Sequence, residues 1–546
     1  MTLKTPSWLV YVSAIAAQPL VTLLLWGVTW DDSAITLGFA RTFALTGIIA
    51  PTPGSAVVEG YSTSLWMLLM AAVAKFDSNP HHLLVVAKMA TMLLSMAGIV
   101  LTRRFAARTV PEDWARLCAG VLGLQAITFH ETLNGMEGPL SLVLLLLAAL
   151  LYRRADGIGI AGAMVAGSLF ILTRWEAAWL LAPFCLALLV SRHFALLSIV
   201  VWGTVFLASN LGRWLYFGSV WPNTITAKSG EPYRSNDLVL ELARHYEPFQ
   251  NLVILLLPVL LSLTVALVLV RRRRGRGPIL GRGQNMTLPT DLRLAALLSL
   301  FGAVLNLAIG QNWGPPNRGF FVVLPFLLLL LTYCLYRLAK HEKAVAGVLP
   351  GSLALATVAI AFWHGLALAS PHAPDYMPDV TVGNVASLLP ALDDVASATG
   401  RPNLLFAGPD MGAVMLFGRS VQIVDLGKLS DVRLAHDGYA ALCPYLFSEV
   451  RPDVIEVHSV WTAASGIAEC AALFEDYRVV FVHGLRFFIR QELVAVMEPS
   501  ALRVGRFDGR GDAAAYDQSQ MFYSHQWPED LTLNRRFGDY AELLPR

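Results

Sequence analysis

Apolar blocks of about 16–22 residues recur along the first two-thirds of the chain, and stretches of that length, nearly free of charge, cross a bilayer as helices. They lie at about residues 8–27, 81–102, 114–129, 137–152, 157–173, 175–191, 194–211, 250–270, 292–310, 318–338 and 346–367, which makes about eleven spans. Charged residues amount to 15% of the 546, where a soluble globular chain carries about 25%, so a soluble enzyme is excluded. The arginines come in short clusters between apolar blocks instead of one basic face, which excludes a nucleic-acid partner held by bulk charge. The first block follows Lys4 as a signal peptide would, but runs on to Trp26, too long for a signal core; an uncleaved first helix with a cytoplasmic N-terminus is expected.

Cationic loops resist translocation, so the basic ones mark the cytoplasm. They hold Arg103, Arg104, Arg108 and Arg116, then Arg153 and Arg154, then Arg192, then the run Arg271 to Arg282, then Arg337, Lys340 and Lys343. This alternation requires the apolar piece at 62–76 to be re-entrant or interfacial. The polar and aromatic loops then share the outer face: Trp30 to Tyr61, His130 to Glu137, Arg174-Trp175-Glu176, Trp214 to Pro248 and Gln311 to Arg318. The expected architecture is a polytopic α-helical membrane domain over 1–368 and an extracytoplasmic α/β domain over 369–546. In the second, Asn403 to Ala407, Val421 to Val424, Asp453 to Val457 and a pair within Tyr477 to Phe488 read as strands, with a helix to about Phe417. Cys443 and Cys470 lie in that domain, where an oxidising compartment permits a disulfide.

Chemistry is expected first at Trp30-Asp31-Asp32, two carboxylates directly after the first span, leading an amphipathic helix with Ile35, Phe39 and Phe43 on one face. One Asp suffices to cap a helix, and Asp32, just before Ser33, is the expected cap. Neighbours on a helix diverge by about 100°, so Asp31 is expected to point into a cavity as base, nucleophile or metal ligand. In Glu59-Gly60-Tyr61-Ser62-Thr63, Ser62 or Thr63 reads as an N-cap, while Glu59 and Tyr61 are candidates for sugar hydroxyls. Lys88 stands inside a span, where an ammonium either meets an anion or snorkels to the interface. Arg174 with Glu176 reads as an ion pair, and Lys228 and Arg318 as outer-loop cations. Acids, cations and aromatics at one membrane face suit a polyprenyl-phosphate sugar, with a phosphate for Arg and Lys and a sugar for polar and aromatic groups. A flippase or secondary transporter is the competing reading; it predicts related halves and midplane charges, neither of which the sequence displays.

Trp30-Asp31-Asp32, Glu59 to Trp66, Asn134-Gly135-Met136-Glu137, Thr173-Arg174-Trp175-Glu176, Trp221-Pro222-Asn223 to Lys228, Asn312-Trp313 and Arg318, in that order, resemble membrane glycosyltransferases of the GT-C superfamily. The nearest branch is that of the mycobacterial terminal arabinofuranosyltransferase, similar over most of the membrane domain and the start of the outer one. The resemblance implies a decaprenyl-phospho-arabinofuranose type of donor and an envelope glycan or exported protein as acceptor. It implies an enzyme of the bacterial inner membrane among membrane lipids. It puts the catalytic acid on Asp31 or Asp32, and donor or acceptor binding on Glu59, Tyr61, Lys88, Glu137, Arg174, Asn223, Lys228, Trp313 and Arg318. Some relatives are metal-dependent, so a divalent cation (Mg or Ca) on Asp31 and Asp32 is allowed but not required. The chain departs from relatives in Arg174-Trp175-Glu176, where they read Arg-Pro-Glu, and in Asn312, where they carry Asp.

Overall fold

Most of the apolar blocks fold as helices. The computed structural model describes residues 7–182 (153 and 155 aside), 195–230, short pieces within 256–264, 289–309, 318–341, 348–369, 380–497 (420, 458 and 484 aside) and 503–504. Trp313, the arginine run at 271–282, most of the blocks at 175–191 and 250–270, and the tail from 505 lie outside the described residues. The chain divides into two compact units, one of 1–26, 87–208 and 242–378, the other of 27–86, 209–241 and 379–546.

The early helices are α1 (Ser7–Leu24), α2 (Asp31–Thr46), α3 (Ser64–Phe76), α4 (Pro80–Ala106), α5 (Glu112–Gly123), α6 (Ala126–Leu133), α7 (Gly138–Tyr152) and α8 (Gly157–Ile171). Then come α9 (Ala195–Phe217), α10 (Asn223–Lys228), α11 (Thr290–Ile309), α12 (Leu324–His341) and α13 (Leu349–Ala369). Among the described residues three helices, α1, α4 and most of α9, are long and apolar enough to cross a membrane, and α6 with α7 makes a fourth if that bent pair counts as one. Helix α3 has 13 residues, about 20 Å at 1.5 Å per residue, which is too short to cross a core of about 30 Å.

In the first unit, close approach and buried polar contacts hold the helices together. A Cβ on Gly123 would lie 2.8 Å from Ala14 Cβ and 2.7 Å from Ile99 Cδ1, so α1 meets α5 where the side chain is missing. Gln18, fully buried on α1, donates to the Gly123 carbonyl at 2.7 Å, and Thr132 donates to Gln18 Oε1 at 2.8 Å. One expectation fails here. The block at 114–129 is two helices broken at Leu124, and α6 turns through 113° into α7. The expected outer loop His130 to Glu137 is therefore buried inside the unit; Gly135, at φ +67°, makes the turn.

The second unit carries a six-stranded sheet in the order β2-β1-β3-β5-β4-β6. The strands are β1 (Leu404–Gly408), β2 (Val421–Asp425), β3 (Val454–Ile455), β4 (Tyr477–Val482), β5 (Leu485–Arg490) and β6 (Arg503–Val504). The first three are parallel, and β5, β4 and β6 continue antiparallel. Its helices include α14 (Val382–Ala386), α15 (Leu388–Thr399), α16 (Gly412–Phe417) and α17 (Val432–Asp437). Helix α2 belongs to this unit and buries 11 of its 16 residues, so it is not the one-faced helix expected. Its Gly38 passes so near α16 that a Cβ would sit 2.7 Å from Met415 Cβ.

Cys443 and Cys470 form a disulfide with Cα atoms 5.5 Å apart, closing a loop of 27 residues. In the chain-entropy view a loop of that length contributes about 3–4 kcal/mol. Cys443→Ser is expected to lower the melting temperature of the purified protein, and reductant to do the same to the wild type; equal melting in all three samples would show the bond to be absent or idle.

Candidate active site

In the second unit the two acids open helix α2, but neither caps it. Trp30 holds the N-cap position, and its carbonyl accepts from Ser33 N at 3.1 Å and Ser33 Oγ at 2.7 Å. Asp31 caps a different helix: Gly412 N donates to Oδ2 at 2.5 Å and Ala413 N to Oδ1 at 2.8 Å, at the start of α16. The expected division, with Asp32 as cap and Asp31 in a cavity, is therefore reversed in its first half. A Cβ on Gly412 would lie 2.1 Å from the Asp31 carbonyl oxygen, so glycine is required there. Backbone pairing of Asp31 N with Val380 O at 3.3 Å, and of Val382 N with Thr29 O at 2.9 Å, fixes the approach. Burial, and then the charge of Asp410, push the Asp31 carboxyl well above the ordinary range, against the pull of the two amides. Asp32 is half-buried.

Glu59 and Tyr61 stand in the same unit, already engaged. Arg213 Nε meets both Glu59 oxygens at 3.1 and 3.0 Å, and Ser64 Oγ donates to Glu59 Oε1 at 3.1 Å. Tyr61 is buried, edge-on to Phe39 with centroids 5.1 Å apart. Thr63 occupies the N-cap position of α3 without capping it through its side chain. Asn223 Nδ2 donates to the carbonyls of Lys428, Leu429 and Asp431 at 3.0, 2.8 and 3.3 Å, so it braces the loop after β2. Lys228 closes α10, half-buried.

That loop carries groups the sequence did not reveal. Asp425 accepts from Gly427 N, Ser430 N and Ser430 Oγ, each at 2.8 Å. Lys428 is buried at φ +69°, a strained conformation for a side chain, with Nζ 4.9 Å over the Tyr439 ring. Strand β2 ending at Asp425 was the available signal; a buried lysine directly after a glycine was not one.

In the first unit, Lys88 neither snorkels nor reaches solvent. It is fully buried, with Nζ donating to the Trp26 carbonyl at 2.5 Å and lying 4.7 Å from the Trp26 ring centroid. Glu137, Arg174 and Arg318 come together there, around a cavity of about 60 Å³ whose wall also includes Glu131, Glu176 and Asn306. Arg174 Nη1 lies 2.8 Å from Glu137 Oε1 and its Nε 2.5 Å from Glu176 Oε1. Arg318 sits more loosely, with Nε 3.4 Å from Glu131 Oε1 and Nη2 3.9 Å from Glu137 Oε1. Glu131 was hidden in the sequence because its polar neighbours read as an exposed loop.

Among the described residues no three His, Cys, Asp or Glu side chains converge as metal ligands. Asp31 turns both oxygens toward N–H donors, surroundings opposite to those a cation seeks, and so does not fit the divalent ion allowed by the sequence.

No family model and no curated protein matches the chain. Solved structures do. ArnT from Cupriavidus metallidurans in the apo state aligns with a TM-score of 0.54 at 12% identity, covering 90% of this chain and 99% of that one. The same protein bound to undecaprenyl phosphate gives 0.53 at 12%, covering 91% and 100%. An Archaeoglobus fulgidus oligosaccharyltransferase tethered with an acceptor peptide gives 0.49 at 10%, covering 90% and 75%. At 12% identity the likeness to ArnT is one of fold.

Two outcomes follow from the second unit. Asp31→Ala strips two buried amides of their acceptor and is expected to cost about 2–3 kcal/mol, read by thermal unfolding; unchanged melting removes the cap from the account. Burial raises the Asp425 carboxyl to about 7, against its hydrogen bonds from Ser430 and Gly427. Folding therefore favours the protonated form. That contribution is complete below the unfolded carboxylate value and is lost as pH rises through about 7. Asp425→Asn is expected to flatten the pH dependence of melting over that window, and an identical slope in the variant would remove Asp425 as its source.

Proposed function

We propose that this chain is a membrane glycosyltransferase that moves a sugar from a polyprenyl-phosphate donor to an acceptor hydroxyl on the non-cytoplasmic side of a bacterial inner membrane. The leading sugar is arabinofuranose, and the acceptor is an envelope glycan or an exported protein. The observation that carries the reading is the fold likeness to ArnT along almost the whole of both chains, including ArnT bound to undecaprenyl phosphate. A carboxylate pair at the start of α2 supplies the chemistry such a fold would need. The Cys443–Cys470 bond supports an oxidising side for the sheet.

Asp32 is the working base. Asp31 has both oxygens occupied by α16 amides, and its task is to hold the helix start at a fixed place. In the transfer, the acceptor oxygen bonds to the anomeric carbon as the bond from that carbon to the phosphate oxygen breaks. The electron pair leaves with the polyprenyl phosphate, and the acceptor proton passes to Asp32. The activated donor supplies the driving force, so no nucleotide is consumed. Lys228 and Arg318 are the cations proposed for donor or acceptor binding, with Trp313; Lys88, fully buried on the Trp26 carbonyl, is left out.

The purified full chain, given a synthetic polyprenyl-phosphate arabinofuranose and an arabinan oligosaccharide, is expected to release polyprenyl phosphate and extend the oligosaccharide. Asp32→Asn should lower kcat by about 10²–10⁴-fold with little change in KM, the range for loss of a general base. Wild-type turnover in that variant would remove Asp32 from the chemistry, and no transfer by the wild type from any lipid-linked sugar would end the proposal.

A further inference from the structure

The cavity of the first unit has a charge balance that decides what it can hold. Among the described residues of its wall, Glu131, Glu137 and Glu176 face Arg174 and Arg318, one negative charge in excess when all are ionised. Both guanidiniums are matched by carboxylates, Arg174 by two of them at 2.8 and 2.5 Å. A phosphate placed here would compete with those carboxylates while bringing only acceptors and more negative charge.

Among the described residues, two carboxylate oxygens of the cavity have no hydrogen-bond donor. Glu137 is 1% exposed, and its Oε2 has no hydrogen-bond partner among the described residues; Glu131 Oε1, equally buried, has only the loose ion contact with Arg318. Buried acceptors normally find partners. Two glycines let other oxygens of the wall, Glu131 Oε2 and Asn306 Oδ1, come up against the backbone. A Cβ on Gly138 would fall 1.9 Å from Glu131 Oε2, and one on Gly319 would fall 1.6 Å from Asn306 Oδ1. The wall also holds Ser141 and Thr173, and its apolar side is Phe170, Leu180 and Leu305. Hydroxyl donors spaced around a ring whose faces are C–H match a ring of acceptors over an apolar floor.

We infer that this cavity is a saccharide subsite that grips hydroxyl groups of a neutral sugar through Glu137 and Glu131, and that it excludes phosphate. The inference rests on the glycosyl-transfer reading and narrows it. The arginines orient the carboxylates and leave the phosphate of a lipid donor to other cations. The sugar is either that of the donor or the terminal residue of the acceptor, since the hydroxyl chemistry is the same.

The test uses the full-length wild type in phosphatidylethanolamine–phosphatidylglycerol nanodiscs and a panel of methyl glycosides: arabinofuranoside, mannopyranoside, glucopyranoside and galactopyranoside. Binding is read by saturation-transfer NMR, with inorganic phosphate as competitor. At least one glycoside is expected to bind saturably and not to be displaced by phosphate. Glu137→Gln should weaken it about tenfold or more, as removal of a buried charged acceptor does. Leu305→Trp fills the space from a half-buried wall position without touching the ion pairs, and should abolish binding. The inference is overturned by a panel that fails to bind the wild type, by displacement with phosphate, or by unchanged affinity in both variants. In the transfer assay, a raised KM for the lipid donor in Glu137→Gln identifies the donor sugar, and a raised KM for the arabinan identifies the acceptor. Transfer without glycoside binding sinks the subsite alone; glycoside binding without transfer leaves the subsite and sinks the enzyme reading.

Discussion

The contact on which the second unit depends is the carboxylate of Asp31 closing on the amides of Gly412 and Ala413. A helix start leaves backbone N–H groups without intrahelical partners, and a buried donor left so costs free energy. Helix α16 is too short to hide that defect by length, and its own N-cap residue Met411 offers no side-chain acceptor. The cap therefore comes from across the unit. Once it is set, Gly38 must pass close to Met415, and Gly60 close to Ser430 and Phe39. Asn223 then gathers the carbonyls of the loop after β2. The acid pair at the head of α2 thus reads differently from either half alone: one member is masonry, and the other inherits its position.

In the first unit the same rule works through ion pairs. Polar groups far from water must satisfy one another, and the helices come together where they can do so. Gln18, Thr132 and Ser95 form one such knot, and the arginines with their carboxylates form another. The second knot is incomplete. Glu137 Oε2, buried without a hydrogen-bond donor among the described residues, is costly unless a partner fills the space beside it.

Much of the architecture was legible in the sequence, because apolar runs and strand-like pieces are local patterns. Helices lie where most apolar blocks were read, and β1, β2, β4 and β5 lie close to their predicted stretches. The errors share one cause. His130 to Glu137 looked like an outer loop because polarity in a membrane chain signals exposure, yet its partners Arg174 and Arg318 lie far along the sequence. Asp32 looked like a cap because capping is usually a contact within a few residues, whereas Asp31 caps a helix remote in sequence. Glu59 looked available because Arg213 was hidden at the end of an apolar helix. Motif order drew notice to these residues; who neutralises whom is a matter of tertiary partners, and no spacing encodes it.

The span between Asp31 and its amide partners, 381 and 382 residues, has a bearing on how the protein is made. At translation speeds of roughly 5–20 residues per second, more than 300 residues take on the order of 20–80 s to follow. Throughout that interval helix α2 has left the ribosome with its acids unclaimed and its many buried faces bare. The cap on α16 can form only once Gly412 and Ala413 have emerged, so this contact is among the late ones to close during synthesis.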